Sequence, residues 1–133
     1  MNKKVIITAL ILGATAIVLG AFAAHGLKSE INEESIRVFE TGVRYQMYHA
    51  LFLLFVGSSQ FISSKAKQLV LYLVIIGVLL FSGSIYGLAT NSLSAFDFKT
   101  IGFITPIGGV LLISAWLVLL IKFLKNKVDI SEN

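Results

Sequence analysis

The chain has 133 residues, of which 56% are hydrophobic and only 14% charged, with a mean hydropathy of +0.88. A soluble domain carries about 25% charged residues, so this composition excludes a secreted globular domain, a disordered tail and a nucleic-acid module. The net charge of +4 is too small and too scattered for a phosphate-binding face, and the absence of cysteine removes disulfides, thiolate nucleophiles and Cys-ligated metal or iron–sulfur centres.

A membrane-spanning helix needs about 20 largely apolar residues, and the length allows one domain, residues 1–133. The first span is expected at 5–24. Its sixteen-residue apolar run ahead of Ala21-Phe22-Ala23 is long for the core of a cleaved leader, so it is expected to stay as a span. At 100° per residue, Ala9, Gly13, Ala16, Gly20 and Ala24 share one narrow face. Lipid provides no hydrophobic force between helices, so a small-residue face that lets backbones approach is the expected packing surface.

Residues 33–44 are helical in period but polar. Asn32 can cap this segment, Glu33 and Glu34 suit the positive helix end, and Glu33–Arg37 and Glu40–Arg44 are i,i+4 pairs. This lead-in is expected to start outside the bilayer and to run into a second span at 45–64, with Gly42 permitting a bend. A third span is expected at 69–90. It contains Gly83 and Gly87 in a G-x-x-x-G, read either as tight intramolecular packing or as a homodimer face. The fourth, 102–124, holds the single proline. Mid-helix it would free a carbonyl that lipid cannot satisfy, so Thr105 is expected at the N-cap and Pro106 at the first helical position. Gly102–Ile104 would then enter as a short non-helical piece, and Gly108 and Gly109 would lie on the packing side.

Lys3, Lys4, Lys65, Lys67, Lys122, Lys125 and Lys127 fall on one side of these spans. Lys28, Arg37, Arg44 and Lys99 fall on the other, with five of the seven acids. Basic residues stay in the cytoplasm. The sequence thus predicts an all-α integral membrane four-helix bundle, multi-pass in the plasma (inner) membrane, with both termini cytoplasmic. Reporter fusions at Asn133 and after Ala66 are expected inside and one near Ser94 outside; an external C-terminus would overturn the orientation.

Four blocks stand out: Gly20-Ala-Phe-Ala-Ala-His-Gly-Leu27, Phe39-Glu-Thr-Gly-Val-Arg-Tyr-Gln-Met-Tyr-His-Ala50, Phe81-Ser-Gly-Ser-Ile-Tyr86 and Ile104-Thr-Pro-Ile-Gly-Gly109. In order and content they resemble the signature blocks of the bacterial inner-membrane family of unknown function typified by YgdD and YwdK, with a small vertebrate transmembrane relative. The family typically has Gly-Ala-Phe-Gly-Ala-His-Gly, and Ala23 in this chain replaces its middle glycine, a change of one methyl. The resemblance implies a four-helix membrane protein and implies that the motif residues matter, but it brings no reaction.

On the expected topology these blocks converge at the outer leaflet. That makes His25, Arg44, Tyr45, Tyr48, His49, Ser82, Tyr86 and Thr105 a candidate outer-leaflet pocket or docking face. An intramembrane histidine needs a partner, and His49 is expected to be neutral and to hydrogen-bond Tyr86, directly or through one water. It could instead clamp two helices through Ser82 or a backbone carbonyl, or serve a proton relay or ligand pocket. Two histidines without cysteine or a buried carboxylate make a thin metal or haem site, so no metal, cofactor or catalytic residue is assigned. Tyr45 and Tyr48 suit an interfacial belt, while Arg44 either pairs with Glu40 or grips a lipid phosphate or ligand carboxylate.

The functional expectation is a non-catalytic membrane protein that binds a lipid or protein partner or forms a homo-oligomer, with no nucleic acid. A small-molecule transporter or channel subunit is the alternative, although no Asp, Glu or Arg lies within a span and the one lysine, Lys122, is at the very end of the fourth. An enzyme acting on lipid or quinone ranks third, since G-x-S-x-G, H-E-x-x-H and a phosphate loop are all missing.

Overall fold

The computed structural model describes residues 1–126. Lys127, one of the seven lysines on the basic side, lies outside the described residues. Four long helices account for most of the described residues: α1 (Lys3–His25), α2 (Glu33–Ser58), α3 (Ser64–Ala89) and α4 (Ile104–Lys125).

Each helix begins for a local reason. The Asn2 side chain accepts from the Val5 N–H at 3.2 Å, Asn32 from Ser35 at 2.8 Å and Ser63 from Ala66 at 3.2 Å, and each bond satisfies one of the free donors of a first turn. The start of α4 differs from expectation. Phe103 is its N-cap residue and makes no side-chain cap bond. Thr105 is inside the helix, where its hydroxyl meets Ser84 Oγ at 2.5 Å. Pro106 is the third helical residue, not the first. It is still harmless there, because no N–H in the first turn has an intrahelical acceptor. Gly102 and Phe103 form a turn after two short 3-10 segments, Asn91–Leu93 and Phe98–Ile101.

α1, α3 and α4 are long and apolar enough to cross a membrane. α2 reaches the same length, but its first turns carry Glu33, Glu34, Arg37, Glu40 and Arg44, and it ends at Ser58, six residues short of the expected span end. Nine of its residues are buried against the rest of the protein. α1 packs along α2, α2 along α3 and α3 along α4. On α2, Val43, Met47 and Ala50 face α1, Gly42 and Gln46 face α3, and His49 and Phe52 face α4. At 100° per residue these sets follow one another around the helix, so α1 and α4 flank the central α2–α3 pair on opposite sides.

The helices run up and down. The Asn2 N–H donates to Gly57 O at 2.8 Å and Lys67 Nζ donates to the same oxygen at 3.2 Å, which ties the start of α1, the end of α2 and the start of α3 together. One apolar core around Leu53, Val70, Val74 and Ala115 draws on all four helices, and a smaller one around Ala23, Leu27, Phe39 and Ala89 fills the other end. The methyl of Ala23, where the family typically has glycine, is fully buried in that second core.

The small face of α1 meets α2. Ala9 and Ala16 are buried, and a Cβ at Gly13 or Gly20 would sit 3.7 Å from Ala50 and 3.4 Å from Val43. Ala24, expected on this face, is exposed, and Ala23 takes its place. The G-x-x-x-G of α3 is not a helix crossing. A Cβ at Gly83 would meet nothing within 4 Å, and Gly87 is covered by the Phe98 ring, 2.6 Å from such a Cβ. The close approach of α3 and α4 lies elsewhere, where Gly108 presses against the backbone of Leu80 and Phe81, with Gly109 in ordinary contact with the Phe81 ring. Gly42, expected to permit a bend, makes room for the Tyr86 ring, whose edge is 2.7 Å from where its Cβ would be.

Candidate functional site

The polar centre of the protein is Gln46, which is 5% exposed. Its Nε2 donates to Leu12 O at 3.0 Å and to Thr15 Oγ1 at 2.8 Å, both on α1. Its Oε1 accepts from the Tyr86 hydroxyl of α3 at 2.7 Å. One amide therefore joins three helices. Four residues earlier, one helical turn along α2, Ser82 Oγ donates to Gly42 O at 2.7 Å, and Tyr86 stacks at a tilt on Phe39 with centroids 4.8 Å apart.

His49 is not paired with Tyr86. It lies about 60° around α2 from Gln46, and Gln46 takes the tyrosine hydroxyl first. His49 is 4% exposed and turns toward α4. Its Nδ1 lies 2.7 Å from Tyr45 O, and its Nε2 accepts from Trp116 Nε1 at 3.1 Å. A carbonyl can only accept and an indole N–H can only donate, so the ring is a neutral imidazole protonated on Nδ1. Phe52 stacks on Trp116 at 4.1 Å and closes the group.

The remaining candidate residues separate. Ser84 and Thr105 bridge α3 and α4. Arg44 is exposed and spends one donor on Thr41 Oγ1 at 3.0 Å, not on Glu40; among the described residues the ion pair is Glu33–Arg37 at 3.6 Å. Tyr45 and Tyr48 are half exposed and meet edge to face at 5.5 Å, with Phe81 5.0 Å from Tyr45. His25 is exposed on the last turn of α1. Gly13 lies against Ala50 and Gly20 against Val43, a register that puts His25 opposite residue 38 and so about 16 Å along α2 from His49. The two histidines do not share a site. Nor do the eight candidate residues line one pocket. The cleft between the end of α1 and the start of α2, about 420 Å³, is walled by Lys28, Glu33, Arg37 and Glu40 with three apolar neighbours.

Three contributors escape a reading of the sequence. Gln46 lies inside the second signature block but is neutral, so neither charge nor titration marks it. Trp116 reads as one more apolar residue of α4. Lys67 counts as a topogenic charge, yet it is 5% exposed and its Nζ donates to Gly57 O at the end of α2, the favoured place for a cation on a helix dipole.

Comparison with known proteins places this arrangement. A family described as "Protein of unknown function (DUF423)" matches residues 19–109. A UPF0382 membrane protein of Staphylococcus epidermidis is 41% identical over 120 residues, 87% of this chain and 94% of its own. The chain belongs to the DUF423 family. Other relatives are the UPF0382 membrane protein YwdK of Bacillus subtilis, 38% identical over 92% of this chain and 98% of its own, and one from Haemophilus influenzae, 36% identical over 96% and 98%. No solved structure matches. Like these relatives, this DUF423 chain is a membrane protein; it is all-α, multi-pass and of the plasma membrane. The matched DUF423 region contains Gln46, His49, Ser82, Tyr86 and Thr105, whereas their partners Leu12, Thr15 and Trp116 lie outside it.

Proposed function

We propose that this protein is a non-catalytic membrane docking module, oriented with its lysine-rich end in the cytoplasm. A partner carrying an anionic group, a lipid headgroup or a protein carboxylate, engages α2 at the outer leaflet through Arg44, Tyr45 and Tyr48. One observation carries the first part: among the described residues, no buried side-chain nitrogen or oxygen lacks a hydrogen-bond partner within the chain. The interior polar groups are spent on holding helices together, so they offer a substrate little. The spare hydrogen-bonding capacity is on the surface of α2. Arg44 has five donors and uses one, next to two half-exposed tyrosines. Guanidinium and phenol together suit an anionic group at the headgroup level.

The test is a photoreactive residue in place of Tyr48 in native membranes. A discrete adduct, protein or lipid, that weakens at least about threefold with Arg44→Ala is expected, in line with the loss of one charge-assisted contact. Mass analysis of the adduct separates lipid from protein. An adduct pattern unchanged by Arg44→Ala would remove this face from the function.

A further inference from the structure

At the end of the molecule opposite the acidic residues, two cavities meet. An apolar groove of about 470 Å³ runs between α2 and α4, lined by Phe52, Phe55, Trp116, Leu119, Leu120 and Phe123. Phe123 also borders a second cleft of about 330 Å³, walled by Lys122 of α4, its C-cap Asn126 and Gln60 and Ser63 of the α2–α3 turn, with Phe61, Ile62 and Ala66 as its apolar side. From Trp116 to Phe123 the groove follows α4 for about 10 Å, and the cleft that holds Lys122 lies at its end. Phe55, Trp116 and Leu120 are each about half exposed along it.

Among the described residues, the charge around the cleft has one sign. Lys122 lines it, and Lys65 and Lys125 flank it in sequence. Among the described residues every carboxylate side chain (Glu30, Glu33, Glu34, Glu40 and Asp97) belongs to the α1–α2 connection, the first turns of α2 or the α3–α4 connection, at the far end. The first turn of α3, which follows its N-cap Ser63, adds the positive end of its dipole. A long apolar slot ending in a cationic polar mouth matches a molecule with one apolar chain and one anionic head. We propose that this groove and cleft form a binding site for a single anionic phospholipid, one acyl chain lying against Phe52, Trp116 and Leu120 and the phosphate at Lys122. This goes beyond the docking face at Arg44, Tyr45 and Tyr48, which uses none of the residues lining the groove or cleft, and does not depend on it. A second copy of the chain fits less well, because a two-fold contact through this groove would set Lys122 and Lys125 against themselves.

The chain contains one tryptophan, and it is in the groove, so the protein carries its own probe. The full chain is reconstituted in phosphatidylcholine vesicles with a fixed fraction of brominated-chain phosphatidylglycerol, or with the same fraction of brominated-chain phosphatidylcholine. Bromine on a chain beside Trp116 quenches its emission. The phosphatidylglycerol should be enriched at Trp116 by about fivefold over its bulk fraction, the effect expected for one lysine near an anionic headgroup, and the phosphatidylcholine should follow its bulk fraction. Lys122→Gln should abolish the preference and Lys122→Arg should keep it. Lys3→Gln, which removes a charge at the same end but away from the cleft, should leave it intact. Equal quenching by the two lipids, or a preference that survives Lys122→Gln, would overturn the proposal. So would quenching that falls as the protein-to-lipid ratio rises, which assigns the groove to a second copy. Quenching that appears only after residues 127–133 are removed would assign it to the chain's own tail and overturn it as well.

Discussion

Gly108→Ala is expected to be among the most damaging single-methyl changes in this protein. A Cβ there falls on the Phe81 backbone nitrogen, and it lies 2.8 Å from the Leu80 carbonyl carbon and 2.9 Å from Gly77 O. These are backbone atoms of a helix, so no rotamer can relieve the clash. α4 must move away from α3, and Leu112, Ala115 and Leu119, buried in the main core, move with it. Overpacking of this kind costs about 1–3 kcal/mol, and contact with backbone places Gly108→Ala at the upper end. Gly83→Ala is the matched control. Its Cβ enters open space, and alanine favours the helix by up to about 1 kcal/mol over glycine, so stability should hold or rise. Denaturant titration in detergent micelles, followed by helix content, measures both. If Gly83→Ala proved the more harmful, the helix interface would return to the G-x-x-x-G face.

That contrast shows what the sequence can and cannot reveal. The hydropathy of α1, α3 and α4 is legible because each contains an uncharged apolar run. The end of α2 is not. Gly57 to Ser63 carries no charge, and hydropathy does not distinguish an uncharged turn from one more turn of helix. The spacing of Gly83 and Gly87 is a recognised packing pattern, but a pattern on one helix does not say which face a neighbour covers. The sequence places Gly108 among the packing residues, but its contact with the Leu80–Phe81 backbone depends on how α3 and α4 are rotated against each other.

The same limit governs the polar residues. Their types are legible, since buried serine, histidine and tyrosine in a membrane helix need partners. Their pairing is not, because the 60° between Gln46 and His49 decides whether Tyr86 or Trp116 is met, and helix rotation is set by packing across all four helices. Depth along the membrane is a poor substitute: depth alone matches His49 to Tyr86. The lysine count is informative about the polarity of the chain, but it treats Lys67 as one charge among seven when it is a buried helix cap.

The largest effect among the polar residues is expected at Gln46. Gln46→Leu conserves bulk but removes all three of its side-chain bonds, to Leu12 O, Thr15 Oγ1 and the Tyr86 hydroxyl. Hydrogen bonds between helices in a bilayer average about 0.6 kcal/mol and reach about 1.7, so the loss should total about 2 kcal/mol. The backbone carbonyl of Leu12 suffers least, because it sits within α1 and has the helix's own N–H. The Tyr86 hydroxyl suffers most, left without its acceptor in a half-buried position beside Phe39. Tyr86→Phe alone should cost about 1 kcal/mol, and combined with Gln46→Leu it should add little, because the shared bond is already gone; the two should couple by about 0.6–1.7 kcal/mol. His49→Gln and Tyr86→Phe should instead add within about 0.5 kcal/mol, since they share no partner. The stability of the three single and two double variants in micelles decides the matter. Coupling between His49 and Tyr86, with none between Gln46 and Tyr86, would turn α2 by about 60° and put the imidazole where the Gln46 amide now joins three helices.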